Sequence, residues 1–120
     1  MPHLVIEYTS NLSDFPEARV LAELNAAVTA SPEIQNEADL KTRFVPVSRF
    51  AIGTAPEDRA FVHAQLRLLS GRDAETKRDL TGLIADVLRR DAPRPAGVLV
   101  QLSVEIVDMD RPSYVKERLA

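Results

Sequence analysis

The 120-residue sequence contains no cysteine. Disulfides, thiolate nucleophiles and zinc–sulfur centres are therefore excluded, and a reducing, cytoplasmic setting fits. Histidine is nearly absent too. His3 and His63 are the only two, and a helix and a strand are expected between them, so no metal site is predicted. The four glycines form neither a phosphate-cradling signature nor a nucleophile elbow, and nothing else in the chain asks for a cofactor. An excess of one charge is also missing. Fifteen basic against 18 acidic residues leave a net charge of −3, which favours neither nucleic acid nor an anionic membrane surface as a partner. No apolar run approaches a membrane span or a signal-peptide core. Any anion site must be local.

What is present suffices for one domain over residues 1–120, since 45% hydrophobic content in a chain of this length supports a single core. The chain begins Met1-Pro2-His3-Leu4-Val5-Ile6-Glu7-Tyr8, a short β-prone run whose proline is uncovered once the initiator methionine is removed. A free α-amine titrates at roughly 7.7 to 8.0, and burial beside cations lowers that value. Pro2 is thus a candidate general base that needs no His, Cys or Ser. With Met1 retained, the same nitrogen is an amide with no lone pair to offer. A small residue after Met1 is also what N-terminal processing favours, so position two alone carries little weight.

Along the chain, Leu4, Ile6 and Tyr8 share one face of a predicted strand, with His3, Val5 and Glu7 on the other. Ser13 and Asp14 are candidate caps, Asp14 and Glu17 have capping-box spacing, and Leu21, Leu24 and Val28 predict an amphipathic helix over 14–30. Residues 33–39 read as a loop. Residues 40–50 alternate as a strand that Pro46 confines to an edge or a bulge, with Lys41 and Arg43 pointing the same way. From Phe61 to Leu69 alternation returns, and Ser70-Gly71-Arg72 turns the chain. Asp73 can cap a helix whose stripe is Leu80, Leu83, Ile84, Val87 and Leu88. Pro93 and Pro95 end it, and residues 98–107 alternate as a last strand.

The order is β-α-β-β-α-β, an α+β class: a four-stranded mixed sheet with two helices on one face. Phe61, Leu99 and Val107 fall on the nominally polar strand faces, which predicts that partner subunits cover the second face in a closed homo-oligomer. Residues 109–120 are expected to be an arm packing on a neighbouring subunit.

Arg72 stands where the chain turns toward a helix N-terminus, which suits either an anion site or a solvated turn. Lys41 and Arg43 suit either a carboxylate grip or the wet face of an edge strand. His63 reads as a hydrogen-bonded interior or interface residue, whereas His3 and Glu7 lie beside Pro2 in sequence and are candidates to shape its pocket.

Pro2-His3-Leu4-Val5-Ile6-Glu7-Tyr8-Thr9-Ser10-Asn11-Leu12, then Arg43, Ala60-Phe61-Val62-His63 and Ser70-Gly71-Arg72 before a helix, together resemble the 5-carboxymethyl-2-hydroxymuconate isomerases of the tautomerase superfamily. The likeness spans almost the whole chain. It implies a tautomerase-like protomer assembling as a homotrimer, with an active site at each N-terminal proline and contributions from a neighbour. It also implies cofactor-free proton transfer within a small unsaturated enol di- or tricarboxylate from aromatic-compound breakdown. Pro2 would be the base, Arg72 the catalytic cation, and Lys41 and Arg43 substrate-binding groups. The family pattern has arginine at both basic strand positions, whereas Lys41 offers a point charge without a bidentate fork. Two other readings compete: a proline-dependent hydratase, decarboxylase or dehalogenase, and a non-catalytic oligomeric binding module on the same fold.

Overall fold

Alternation in the first run does make a strand. In the computed structural model, which describes residues 1–120, β1 is His3–Thr9, with Leu4, Ile6 and Tyr8 buried and His3, Val5 and Glu7 half-buried on the opposite face. It is followed by α1 (Glu17–Thr29), β2 (Lys41–Val47), β3 (Arg59–Leu69), α2 (Ala74–Asp91) and β4 (Leu99–Met109). Short 3-10 turns occupy Glu37–Asp39, inside the expected loop, and Arg111–Ser113. No helix is long and apolar enough to cross a membrane.

The sheet order is β2-β1-β3-β4. Each strand–helix–strand unit closes its own parallel pair, β1 with β2 and β3 with β4, and the two units join antiparallel through β1 and β3. Both helices pack on the face carrying Leu4, Ile6, Val62, Ala64 and Leu66, where Val20, Leu24, Val28, Leu80, Ile84 and Leu88 complete the core. Burying each of the Val, Leu and Ile side chains contributes about 1.5 to 3 kcal/mol over leaving it in water. Pro46 sits in edge strand β2, as its missing N–H demands. Lys41 N–H points inward to the Pro2 carbonyl at 3.1 Å, so by the period of two the Pro46 nitrogen faces outward.

The start of α1 departs from expectation. Pro16 stands at the N-cap and no side chain caps the helix. Neither Asp14 nor Ser13 takes that role, because Leu12 and Phe15 are buried and wind the preceding chain inward. Phe15 stacks on Tyr8 at 4.5 Å and on Phe44 at 4.9 Å. Glu17 accepts the Tyr8 hydroxyl at 2.8 Å instead of closing a capping box. Packing of three aromatic rings outweighs a local cap. At α2 the expected cap forms, with Asp73 accepting Thr76 N–H at 2.8 Å.

The second face of the sheet lies open in the single chain. Leu99 is 59% exposed and Val45 40%. Between them His63 bridges β4, with Nδ1 2.6 Å from Ser103 Oγ and Nε2 2.6 Å from Glu105 Oε2. That contact, followed by one from Gln65, holds the Glu105 carboxyl below the ordinary carboxylate range. The segment after β4 folds back over its own N-terminus, through Tyr114 to His3 and Lys116 to Asp39, while Val115 and Leu119 stay exposed.

Candidate active site

The topology gathers distant residues at one end of the sheet. Because β1 and β3 are antiparallel, the start of β1 lies beside the end of β3, His3 opposite Arg67. Because β3 and β4 are parallel and end together, Leu69 opposite Met109, the residues following both strands arrive at the same place. The segment leading into β2 arrives there too, since β2 runs parallel to β1 from Lys41 opposite His3. The result is a cavity of about 290 Å³ lined by Pro2, Leu68, Leu69, Arg72 and Arg111, with Glu33, Ile34, Gln35, Asp39 and Met1 closing it.

Pro2 is buried in its wall. Arg72 is fixed by two contacts: Nε donates to Glu33 Oε1 at 2.9 Å and Nη1 to the Leu69 carbonyl at 3.0 Å. Neither contact uses Nη2, whose N–H groups stay available to an anion. The α2 N-terminus contributes less than its position suggests, because Asp73 already takes the Thr76 N–H.

Lys41, Arg43 and His3 lie next to the N-terminus but on the open face of the sheet. Lys41 Nζ donates to the Asp39 carbonyl, and Arg43 Nη1 donates to His3 Nδ1 at 3.2 Å. Arginine has no acceptor, so His3 Nδ1 carries the lone pair. Nε2–H then donates to the Tyr114 hydroxyl at 3.3 Å, and that hydroxyl to the Met1 carbonyl at 3.4 Å. Burial first, and then Lys41 and Arg43, push the His3 pKa down, which favours the neutral ring that this relay needs. Glu7 stands four residues further along β1, opposite His63, in a groove with Phe61 and Ser103. Strand rise places it roughly 13 Å from His3, away from the Pro2 cavity.

The terminal amine sits on the edge of this cavity, 3.4 Å from the Asp39 carbonyl and 3.8 Å from its carboxylate. Its pKa is lowered, chiefly by burial and next by the Lys41 ammonium, with Lys116 adding to the effect and Asp39 opposing it. Lys116 and Arg118 engage the Asp39 carboxylate, which limits that opposition. Sequence reading missed Arg111, Glu33, Asp39 and Tyr114 as lining or framing residues. A signal existed for Arg111: parallel strands that end together must bring the residue after the second beside the turn after the first.

A family description, 5-carboxymethyl-2-hydroxymuconate isomerase, matches residues 2–118 of the chain. Among solved structures, a 5-carboxymethyl-2-hydroxymuconate isomerase from Deinococcus radiodurans R1 is 28% identical with a TM-score of 0.82, covering 98% of this chain and 90% of that one. A 5-carboxymethyl-2-hydroxymuconate delta-isomerase is 25% identical with a TM-score of 0.83, covering 98% and 89%. A fused 4-OT wild type symmetric trimer, 17% identical with a TM-score of 0.63 over 92% and 87%, shares the fold. No curated protein matches by sequence search.

Proposed function

The chain belongs to the 5-carboxymethyl-2-hydroxymuconate isomerase family, and from that premise we propose that Pro2, freed of Met1, is the base that moves a proton within a small unsaturated enol di- or tricarboxylate. The protein is an isomerase of the tautomerase superfamily. The observation that carries the base assignment is the burial of Pro2 in one cavity with the guanidiniums of Arg72 and Arg111.

The amine lone pair takes the proton of the enol hydroxyl. The electron pair moves along the conjugated double bonds, and the protonated amine returns the proton to a carbon further along, giving the unsaturated ketone. No atoms are gained or lost. Arg72 holds the carboxylate beside the reacting enol and stabilises charge developing on its oxygen, through the N–H groups left free by Glu33 and Leu69. Lys41 acts on the amine by charge, lowering its pKa as it does that of the Met1 amine. Arg43, seated on His3, supplies further positive charge from the open face, and both take substrate when a neighbouring subunit completes the site. A homotrimer meets that need, as in the fused symmetric trimer of the same fold. Exposed Val115 and Leu119 would then be covered by a neighbour.

The test is a turnover assay following the absorbance of conjugated enol acids with protein shown by intact mass to lack Met1. Turnover by that form, and none by protein retaining Met1, is expected. An inactive Met1-free protein across enol mono-, di- and tricarboxylates would overturn the reading.

A further inference from the structure

The Pro2 cavity carries one positive charge that no protein anion answers. Arg72 is paired with Glu33, while Asp39 is met by Lys116 and Arg118. Arg111 lines the same cavity yet takes part in no ion pair. Its Nε and Nη2 both donate to the Ser70 carbonyl, at 3.2 and 2.9 Å. A guanidinium presents five N–H donors in a planar fork, so this grip fixes the plane and leaves both N–H groups of Nη1 unused.

The anchor is itself held by the sheet. Ser70 N–H donates to the Met109 carbonyl at 3.0 Å, tying the ends of β3 and β4 together. Gly71, at φ 125°, adopts a conformation open to glycine, and a Cβ there would stand 3.8 Å from Arg111 Nη2. The two arginines differ in depth. The Arg72 side chain is 24% exposed, whereas Arg111 lies exposed at the mouth.

We propose that Arg111 is a second carboxylate-holding residue of this pocket, taking a carboxylate at the far end of a substrate whose near carboxylate is on Arg72. The assignment of the near end rests on the isomerase reading; that of the far end rests on the unpaired, pre-oriented guanidinium. Acids with two carboxylates are therefore preferred over acids of equal length with one.

Adipate and hexanoate have the same chain length, differ by one carboxylate and cannot be isomerised by proton transfer along a conjugated system. NMR-monitored titration of Met1-free protein is expected to show adipate bound about 10-fold more tightly or better, the scale of a charge-assisted hydrogen bond. Arg111→Ala should abolish most of that preference with hexanoate affinity unchanged. Arg111→Lys should keep part of it, a point charge replacing the fork, and Arg72→Ala should weaken both acids. For an enol dicarboxylate, Arg111→Ala should raise KM by a larger factor than it lowers kcat. No adipate preference in the native protein, a preference that survives Arg111→Ala, or a parallel loss of both acids in Arg111→Ala and Arg111→Lys would overturn the proposal. An Arg111-dependent preference in a protein that turns over no enol acid sustains it while sinking the isomerase mechanism. Turnover with an Arg111-independent preference does the reverse.

Discussion

A secondary amine at the chain terminus works as a base only while it is uncharged, and its surroundings set the pH at which that holds. Burial and the Lys41 ammonium both disfavour the charged form of the Met1 amine, and the proposed Pro2 amine, one residue on, would meet the same surroundings. With Pro2 as the proposed base, the deprotonated form is the reactive one, so kcat/KM should rise with pH through a midpoint that these surroundings lower. Removing the Lys41 charge takes away one of the forces lowering that midpoint. Lys41→Met should therefore shift the acid limb of the pH–rate profile to higher pH, and an unmoved limb would show that Lys41 does not act on the amine. Pro2→Ala leaves a terminal primary amine in the same place, so turnover should fall by roughly 10- to 100-fold without vanishing, less than the full contribution of about 100- to 10,000-fold ascribed to a positioned general base. Unchanged kcat/KM in that variant would show that the reaction does not need the secondary amine of proline.

At the scale of elements, α2 shows how local signals hold when packing agrees with them. Its cap, its apolar stripe and its basic last turn all lie within the helix or one residue before it. Asp73→Ala removes the acceptor for Thr76 N–H and should lower the denaturation midpoint without changing the slope of the transition. The same bond, supplied by Thr76, holds the Asp73 carboxyl below its ordinary range. Its stabilisation is therefore complete above a pH of about 3.9 and is lost as pH falls through the depressed folded value. In the Asp73→Ala protein that part of the acid destabilisation should be absent. Helix α1 is the contrasting case, because its start is set by the burial of Phe15 against Tyr8 and Phe44, residues drawn from three separate segments. No window along the chain contains that contact.

For the whole molecule, the open sheet face separates a monomer from an assembly. Leu99 and Val45 are exposed on it, and a face of that kind is stable in water when a second copy covers it. Sedimentation is expected to give about three times the chain mass of 13.3 kDa. Leu99→Asp should leave the circular dichroism of the protein intact and shift it to a monomer, since a charge at an exposed position costs little until a neighbour has to bury it. A trimer unaffected by Leu99→Asp would place the contact on another surface.

The order of strands and helices, the core face of β1 and β3, the cap and stripe of α2 and the edge position of β2 were determined by the sequence itself. Period, turn residues and the proline rule act over a few neighbours and need no knowledge of the rest. Pro2 and Arg72 could be named from the sequence, but only folding put them in one cavity. Tertiary structure alone decided that Lys41, Arg43 and Glu7 face away from that cavity within one chain, that Glu33 pairs with Arg72, and that Arg111 arrives at its mouth. Those outcomes follow from parallel and antiparallel pairing between segments tens of residues apart, where register fixes which ends coincide and a shift of one residue would turn every side chain to the other face.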